Sequence, residues 1–198
     1  MKSKLIFIRH PETEENLLNI QQLHHTANFT EKGMKQLKAM KEYLTNYKMD
    51  FCFSSDSPRC IKTAEELINK SVQCAFIITP LLRDKSNGIF EGLKNSEIDW
   101  TEINKQPFET RKAPEGESLK EVKERLLILM NKIICLPENS TVLIISHNLP
   151  ISVLIGYLLG YDLEKTIANI KINNCTFSTG ELDATEFKIK AINQEILK

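Results

Sequence analysis

The sequence lacks an excess of either charge and lacks a long hydrophobic run. Lys and Arg together number 26, Asp and Glu together also number 26, and the formal net charge over 198 residues is zero. Without a broad positive field, neither nucleic acid nor a membrane surface is an expected partner, and an anionic ligand would have to be held by a few placed cations. The longest apolar stretch, residues 149–160, is well short of the roughly 20 residues that cross a bilayer and predicts a buried helix.

The cysteines lack a pairing pattern. There are five of them, an odd number with no C-x-x-C pair, which fits neither a disulfide framework nor a zinc cage. The amino terminus has a run of only four apolar residues before Arg9 and no cleavage pattern after it, which is too short for a signal peptide. Both observations predict a reducing compartment and a cytoplasmic location.

Glycine and proline are scarce, at 7 residues each, which excludes the fibrous and low-complexity classes. A chain of this length with 41% hydrophobic residues is able to bury a continuous core without disulfides or metals. No repeat or linker interrupts it, so residues 1–198 are expected to form one domain. The stretch from about 87 to 114 is polar and the least regular, with Trp100 and Phe108 in it, and is interpreted as a small inserted cap.

Four short apolar runs predict strands that are buried on both faces of a parallel sheet: residues 5–8, 51–53, 74–78 and 141–145. The carboxyl end, residues 175–192, alternates apolar and polar side chains and predicts an edge or antiparallel strand. Because helical patterns separate the strands, the chain is expected to fold as a three-layer α/β sandwich with a mostly parallel central sheet.

Four helices are predicted between and after these strands. After residue 30, one apolar stripe recurs at three- and four-residue spacing and is expected to be buried: Met34, Leu37, Met40, Leu44 and Tyr47. Ser57 and Pro58 have the residue types of an N-cap and a first helical position. Ser118 and Glu121 form a capping box for the third helix, and a fourth helix is predicted to begin near Pro150.

Two histidines and two arginines are placed where predicted strands end. His10 follows the strand at residues 5–8, and His147 follows the strand at residues 141–145. Because the carboxyl ends of neighbouring parallel strands line one crevice, the two rings are expected to converge. Arg9 precedes His10, and Arg59 lies at a predicted helix start, where free N–H groups also favour an anion. Two guanidinium groups and two imidazoles at one sheet edge predict a phosphate pocket.

Six blocks of sequence occur in an order that is typical of one protein family. Residues 9–16, RHPETEEN, are close to the pattern R-H-G-E-T-x-x-N. The likeness continues through residues 29–33 (FTEKG), 54–64 (SSDSPRCIKTA), 88–93 (GIFEGL), 114–118 (PEGES) and 145–148 (ISHN). In these blocks, from residue 4 to about residue 155, the chain resembles the histidine phosphatase superfamily, also called phosphoglycerate mutase-like. The resemblance implies a phosphoglycerate mutase-like fold.

The resemblance implies that His10 is the nucleophile, which attacks phosphorus and forms a phosphohistidine. It also implies that Arg9, Arg59 and His147 clamp the phosphoryl oxygens and that Asn16 donates one more hydrogen bond to the substrate. Positive charge beside His10 disfavours the protonated form of the ring, so this histidine is expected to stay neutral and nucleophilic near pH 7.

A carboxylic acid is expected near His10, because the leaving oxygen needs a proton. In the phosphatases of this family the acid is usually the Glu of an L-R-E segment, and here Asp84 occupies that position in Leu-Arg-Asp. Glu91 is the alternative acid, with a structural role as its favoured interpretation. A second departure from the family is Pro11 in place of the more usual Gly, which removes a backbone N–H from the phosphate loop.

No metal and no cofactor are expected, because the arginines and His147 would supply the positive charge that catalysis needs. The adjacent His24 and His25 are interpreted as part of a solvated loop, since neighbouring residues rarely bind one ion together.

The sequence therefore predicts a metal-independent phosphatase that hydrolyses a small phosphomonoester, a phosphorylated metabolite, through a phosphohistidine at His10. Phosphoryl transfer of the phosphoglycerate mutase type is the enzymatic alternative, although those enzymes are typically longer. A module that binds a phosphorylated ligand without catalysis is the alternative from another class, but it would have lost the nucleophile or an arginine. A sugar bisphosphate, α-ribazole 5'-phosphate and a nucleotide-like ester all stay open as substrates, as does the oligomeric state.

Overall fold

A six-stranded mixed sheet lies at the centre of the fold. The computed structural model describes residues 3–22, 24–45, 47–68, 74–183 and 186–196. Within these residues the strands are β1 (Ser3–Arg9), β2 (Phe51–Ser55), β3 (Ala75–Thr79), β4 (Thr141–Ser146), β5 (Phe177–Leu182) and β6 (Phe187–Gln194). Their order across the sheet is β3-β2-β4-β1-β5-β6. The first four in this order are parallel to one another, whereas β5 and β6 pair antiparallel to their neighbours.

Helices connect the strands. In chain order they are α1 (Glu14–Leu17), α2 (Glu31–Leu44), α3 (Pro58–Leu67), α4 (Thr101–Asn104), α5 (Leu119–Ile134), α6 (Asn148–Leu158) and α7 (Leu163–Asn169). Short 3-10 turns occur at Pro80–Leu82, Gly88–Phe90 and Asn95–Glu97. None of the helices in the described part of the chain is long and apolar enough to cross a membrane.

Alternate side chains of β1 face opposite sides of the sheet and build two apolar layers. Leu5 and Phe7 pack with buried residues of α5, α6 and α7, whereas Ile6 and Ile8 pack with buried residues of α2 and α3. All four side chains are at most 1% exposed. A strand that is buried on both faces has to be apolar along its whole length, which explains the continuous apolar run of β1. The prediction that residues 74–78 are also buried on both faces is wrong, because β3 is the edge strand of the sheet and Phe76 and Ile78 are exposed. The predicted three-layer α/β sandwich is confirmed.

The carboxyl end holds two strands instead of the one predicted over residues 175–192. The carboxylate of Asp183 accepts a hydrogen bond from the N–H of Glu186 at 2.9 Å, and the N–H of Asp183 donates to the carbonyl of Glu186 at 3.0 Å. These bonds join the end of β5 to the start of β6, and residues 184–185 lie outside the described residues. The prediction missed the division into two strands because apolar and polar residues alternate on both sides of it.

The predicted helix starts differ from the structure in small ways. The capping box is present at α5, where Ser118 Oγ accepts from the N–H of Glu121 at 3.2 Å and Glu121 Oε2 accepts from the N–H of Ser118 at 2.7 Å. Helix α3 begins at Pro58, but the side chain of its N-cap residue, Ser57, makes no capping hydrogen bond. Helix α6 begins at residue 148, two residues before Pro150, so the predicted start near Pro150 is confirmed and the proline lies within the first turn.

The buried stripe of α2 differs from the predicted one at both ends. Leu37, Met40 and Leu44 are buried, but Met34 is 49% exposed. In that turn Gly33 takes the inward position, where it lies so close to the Glu12 backbone that a Cβ would collide with it. Tyr47 lies beyond the end of the helix and is only partly buried.

The segment interpreted as a cap, about residues 87–114, leaves and rejoins the domain at adjacent points. The N–H of Ile89 donates to the carbonyl of Pro114 at 3.2 Å, and the N–H of Glu117 donates to the carbonyl of Ser86 at 2.9 Å. Gly88 has a φ of 54°, and a Cβ there would collide with the backbone of Pro114, so this closure requires glycine. The ends of the segment are therefore fixed, and its role as a cap stays a prediction.

Candidate active site

Arg9, His10 and His147 meet at the carboxyl edge of the parallel strands. Strands β1 and β4 are neighbours with Arg9 opposite Ser146, so the residues that follow, His10 and His147, lie side by side. The N–H of His10 donates to the carbonyl of Ser146 at 3.0 Å and continues this register. The centroids of the two imidazole rings are 5.2 Å apart, with 64° between the ring planes.

Arg59 reaches the same place from the neighbouring strand. Strand β2 ends at Ser55 and α3 begins at Pro58, so Arg59 lies in the first turn of that helix. Its Nη2 is 3.3 Å from Nδ1 of His147, and its Nη1 donates to the backbone carbonyl of His24 at 3.5 Å. The side chain is 1% exposed, so its charge is held away from bulk water.

The ring of His10 is oriented by its own backbone. Its Nδ1 lies 2.8 Å from the carbonyl oxygen of Pro11, and because a carbonyl oxygen only accepts, Nδ1 carries the proton. Nε2 therefore keeps the lone pair that a nucleophile needs. Proline lacks the N–H that a glycine would have here, but it supplies the same carbonyl, so the orientation of His10 is preserved.

His10 is neutral chiefly because it is buried. The ring is 1% exposed, and this burial is the largest cause that holds the pKa of His10 well below its ordinary value. The positive charges of Arg9 and Arg59 lower the pKa further, while the hydrogen bond to Pro11 opposes them. The sequence indicates the effect of the arginines, but not the larger effect of burial.

His147 is a second neutral imidazole. Because a guanidinium group only donates, Nδ1 of His147 accepts from Arg59, and Nε2 carries the proton and donates to Oγ of Ser55 at 3.1 Å. Burial lowers the pKa of His147 well below its ordinary value, and the charge of Arg59 is the next largest cause. The positive charge of the site therefore belongs to the arginines.

The free energy of unfolding is expected to fall as the pH drops below about 6.5. The two histidines stay neutral in the folded chain, because the pKa of each is lowered there, and they take up protons when the chain unfolds. The unfolded state then binds more protons than the folded state, so stability increases with pH in this window. Each histidine contributes about 1.4 kcal/mol per pH unit.

Urea unfolding between pH 5 and pH 6 measures this dependence. His10→Gln removes one of the two groups and should lower the pH slope by about 1.4 kcal/mol per pH unit. His25→Gln, which replaces an exposed histidine, should keep the slope of the unmodified chain. Identical slopes for His10→Gln and the unmodified chain would contradict the neutral buried state of His10.

The guanidinium group of Arg9 has one buried donor without a hydrogen-bond partner in the described residues. Its Nη1 donates to the carbonyl of Ile172 at 2.7 Å. Its Nε is buried and, within the described residues, has no hydrogen-bond partner. Burial is also the main cause that lowers the pKa of Arg9, and the nearby charge of Asp84 opposes it. An anion beside His10 would compensate this buried positive charge. A buried N–H without an acceptor lowers stability by on the order of 1–3 kcal/mol.

Asn174, which lies outside every motif of the sequence, fixes the loop after β1. Its Nδ2 donates to the carbonyls of His10 at 3.1 Å and Pro11 at 3.3 Å, and to Oδ1 of Asn16 at 2.9 Å. Oδ1 of Asn16 also accepts from the N–H of Thr13 at 3.3 Å within the capping box of α1. The side-chain oxygen of Asn16 is therefore engaged in the loop, and donation from Asn16 to a phosphoryl oxygen stays a prediction.

Asp84 lies at the open side of the site. Its Oδ2 is 3.9 Å from Nδ1 of His147, and its side chain is 41% exposed. Arg125 of α5 holds this segment, because it donates to the carbonyls of Leu81 at 2.6 Å and Asp84 at 3.2 Å. Arg125 is itself held by Glu117 at 2.7 Å. The structure thus keeps one carboxylate next to His147 and within reach of water.

Glu91, the alternative acid, makes its hydrogen bonds within a turn. Its Oε1 accepts from Oγ of Ser86 at 2.7 Å and from the N–H of Asn87 at 3.2 Å. These bonds stabilise the start of the segment of residues 87–114. They fit the structural interpretation of Glu91, and the choice between the two acids stays a prediction.

His24 belongs to a charged cluster at the rim of the site. Its Nε2 is 3.7 Å from Oδ1 of Asp56, and Asp56 also pairs with Arg83 at 2.6 Å. His25 is exposed. Across the residues that the structure describes, no group of three or more His, Cys, Asp or Glu side chains is placed to hold a metal ion.

A cavity of about 740 Å³ lies away from all these residues. Its lining includes Leu44 of α2 and Leu67 of α3, together with Met49 and Cys74, which precede β2 and β3. It therefore lies at the amino ends of the strands, whereas His10 follows the carboxyl end of β1. None of the predicted site residues lines it.

Comparison with known proteins covers nearly the whole chain. The sequence profile of the histidine phosphatase superfamily, branch 1, matches residues 5–195. The chain belongs to this superfamily. Among the curated relatives of the chain are the probable phosphoglycerate mutases GpmB of Erwinia tasmaniensis, 28% identical over 180 residues, and of Cronobacter sakazakii, 29% identical over 182 residues. Each match covers 88% of this chain and 83% of the relative.

Solved structures share the fold of this member of the superfamily. The alpha-ribazole phosphatase from Shigella flexneri superposes with a TM-score of 0.85 at 19% identity, and the match covers 96% of each chain. A mycobacterial glucosyl-3-phosphoglycerate phosphatase superposes with a TM-score of 0.83 at 20% identity, over 98% of this chain and 100% of that chain. These similarities confirm the phosphoglycerate mutase-like fold that the six sequence blocks imply. Members of the superfamily are phosphatases or mutases, which supports the prediction of an enzyme.

Proposed function

We propose that the chain is a phosphatase that hydrolyses a small phosphomonoester through a phosphohistidine formed at His10. One observation carries this proposal. His10 is buried and neutral, with Nδ1 fixed on the Pro11 carbonyl and Nε2 available, and the guanidinium groups of Arg9 and Arg59 lower its pKa further. The same charges that repel a proton from the ring attract a phosphoryl group, so they favour attack on phosphorus.

In the first step, Nε2 of His10 attacks phosphorus in line with the bond to the leaving oxygen. The P–N bond forms as the P–O bond breaks, and Asp84 gives its proton to the leaving oxygen. Negative charge is spread over the three other phosphoryl oxygens in the transition state, where the positive charges of Arg9 and Arg59 stabilise it. The neutral His147 acts through Arg59, because its Nδ1 accepts a hydrogen bond from that guanidinium group.

In the second step, water attacks the phosphohistidine. The carboxylate of Asp84 takes a proton from the water, the P–N bond breaks, and inorganic phosphate and neutral His10 result. The 41% exposure of the Asp84 side chain gives water a route to this position. One carboxyl group thus acts first as the acid and then as the base, and each proton that it gives up is replaced.

Phosphoglycerate mutase activity is the second candidate, because curated relatives carry that name. A mutase returns the phosphoryl group from the histidine to another hydroxyl of its substrate, so it has to keep water away from the phosphohistidine. The open side of the site at Asp84 therefore favours hydrolysis.

Phosphate release from a panel of phosphomonoesters tests the proposed function. The purified protein is expected to hydrolyse 4-nitrophenyl phosphate at the same rate with and without EDTA, because arginines supply the positive charge that a metal supplies in other phosphatases. Activity that is lost in EDTA and restored by zinc or manganese would contradict metal independence. Interconversion of phosphoglycerates without phosphate release would assign a mutase, and binding of phosphate without any turnover would assign a ligand-binding module.

A further inference from the structure

A cavity of about 290 Å³ lies between the segment of residues 87–114 and helices α6 and α7. We call it the side cavity, and six of its lining residues define it: Lys85, Trp100, Phe108, Arg111, Leu149 and Ile167. Lys85 directly follows Asp84, and Leu149 comes two residues after His147. The side cavity therefore adjoins the residues that would handle the phosphoryl group.

Two positive charges face the side cavity without a carboxylate partner. In the described ranges of the chain, neither Lys85 nor Arg111 forms an ion pair; instead, each donates to a neutral amide oxygen. Lys85 Nζ donates to Oδ1 of Asn87 at 2.9 Å, and Arg111 Nη1 donates to Oδ1 of Asn104 at 3.3 Å. The amides orient the two cations without supplying a negative charge.

Burial and the neighbouring charge of Arg111 are the two features at Lys85 that favour a negative ligand. Burial is the main cause that lowers the pKa of Lys85, and the negative charges of Asp84 and Glu117 oppose it. The charge of Arg111 lowers the pKa further, and Glu121 makes a smaller opposing contribution. Two like charges in a partly buried cavity repel each other, and an anion that enters between them removes this cost.

The rest of the wall is apolar. Trp100 and Phe108 contribute aromatic surface, and Leu149 and Ile167 contribute aliphatic surface. The guanidinium group of Arg111 lies over the ring of Phe108, 4.7 Å from its centroid, so the charge is placed directly beside this apolar surface. A cavity of about 290 Å³ accommodates a group the size of one ring but not a polymer.

We propose that the side cavity binds the leaving group of the phosphomonoester and selects one that combines an apolar carbon skeleton with a further negative charge. The phosphoryl group lies at His10, the carbon skeleton contacts the apolar wall, and the anionic end reaches Lys85 and Arg111. This inference rests on the proposed function and names the substrate class within it. A neutral sugar ester would provide no negative charge for the two cations and would bind less tightly.

Two matched aryl esters test the inference. The leaving group of 4-carboxyphenyl phosphate is charged, whereas that of 4-carbamoylphenyl phosphate is neutral and of the same size. We expect kcat/KM to be higher for the carboxylate ester by on the order of ten- to a hundred-fold, as a charge-assisted hydrogen bond in a partly buried site provides. The amide withdraws electrons more strongly, so leaving-group chemistry alone would give the opposite order.

Variants show which residues cause the difference in kcat/KM between the two esters. Arg111→Gln and Lys85→Gln are each expected to lower the ratio of the two kcat/KM values towards one. Lys105→Gln is the matched control, because it removes the same charge from the cap segment at an exposed position that is paired with Glu102. It should keep the ratio of the unmodified chain, and a ratio that is unchanged in both cavity variants would overturn the inference.

Binding separates a failure of the inference from a failure of the proposed function. Trp100 is the only tryptophan of the chain and lines the side cavity, so its fluorescence in His10→Ala reports the Kd of each ester without turnover. The inference is supported, even if no ester is hydrolysed, when the carboxylate ester binds with a Kd about ten-fold lower than that of the amide ester. This difference in Kd should disappear when Arg111→Gln is added to His10→Ala. Equal Kd values and equal kcat/KM values would overturn the inference while hydrolysis at His10 stands.

Discussion

His10→Ala is expected to lower the rate of 4-nitrophenyl phosphate hydrolysis by on the order of 10⁴-fold or more. The variant removes Nε2, the atom that carries the available lone pair. His147 is not placed to replace it, because its Nδ1 accepts from Arg59 and its Nε2 carries a proton that it donates to Ser55. Initial rates of the purified variant and of the unmodified chain measure the effect.

Two controls make this result specific to the nucleophile. His25→Ala replaces an exposed histidine and should keep full activity. The fold of His10→Ala should survive, since the bond from the N–H of residue 10 to the carbonyl of Ser146 involves only the backbone. Circular dichroism and thermal unfolding check this point. Substantial turnover by a folded His10→Ala protein would rule out the proposed mechanism.

The phosphohistidine itself should be detectable by rapid quenching. A phosphoramidate survives alkaline conditions and is lost in acid, so labelled phosphate should stay on the protein in an alkaline quench and be released in an acid quench. His10→Ala should carry no label under either condition. An adduct that is stable in acid would identify a different nucleophile.

The positions of the site residues could be predicted because they depend on local pattern and on one property of parallel sheets. Short apolar runs mark β1 and β4, and the residues that follow such strands share one edge. The pairing of Arg9 with Ser146 then brings His10 beside His147, although the two are far apart in the chain. Arg59 could be located in the same way, from the end of β2 and the start of α3.

The contacts that hold these residues could not be predicted, because they join side chains to distant backbone carbonyls. Asn174 donates to the carbonyl of His10, and Arg125 donates to the carbonyl of Leu81. Every residue has a backbone carbonyl whatever its side chain, so a sequence motif does not show which side chain donates to it. The exposed position of Met34 was missed for a related reason, since the close approach of Gly33 to the backbone of another segment has no periodic pattern.

Asp84→Asn is expected to slow the hydrolysis of esters with poor leaving groups by about 10²–10⁴-fold, the usual contribution of a general acid. An alkoxide leaves only with a proton, and the carboxyl group of Asp84 lies beside His147, where it can supply one. Arg125 holds the backbone at this position, because it donates to the carbonyl of Asp84. The anion of 4-nitrophenol is stable without a proton, so hydrolysis of its ester should be much less affected. The ratio of kcat/KM for a sugar phosphate to kcat/KM for 4-nitrophenyl phosphate measures this difference.

Glu91→Gln is the matched control for the assignment of the acid. Because Oε1 of Glu91 accepts from Ser86 and Asn87, its replacement should lower the rates of both substrates alike or reduce stability. The opposite pattern, in which only Glu91→Gln selectively slows the poor leaving group, would assign the acid to Glu91. Asp84 is one methylene shorter than the glutamate that is usual in the family, and that result would mean that its carboxyl group does not reach the leaving oxygen.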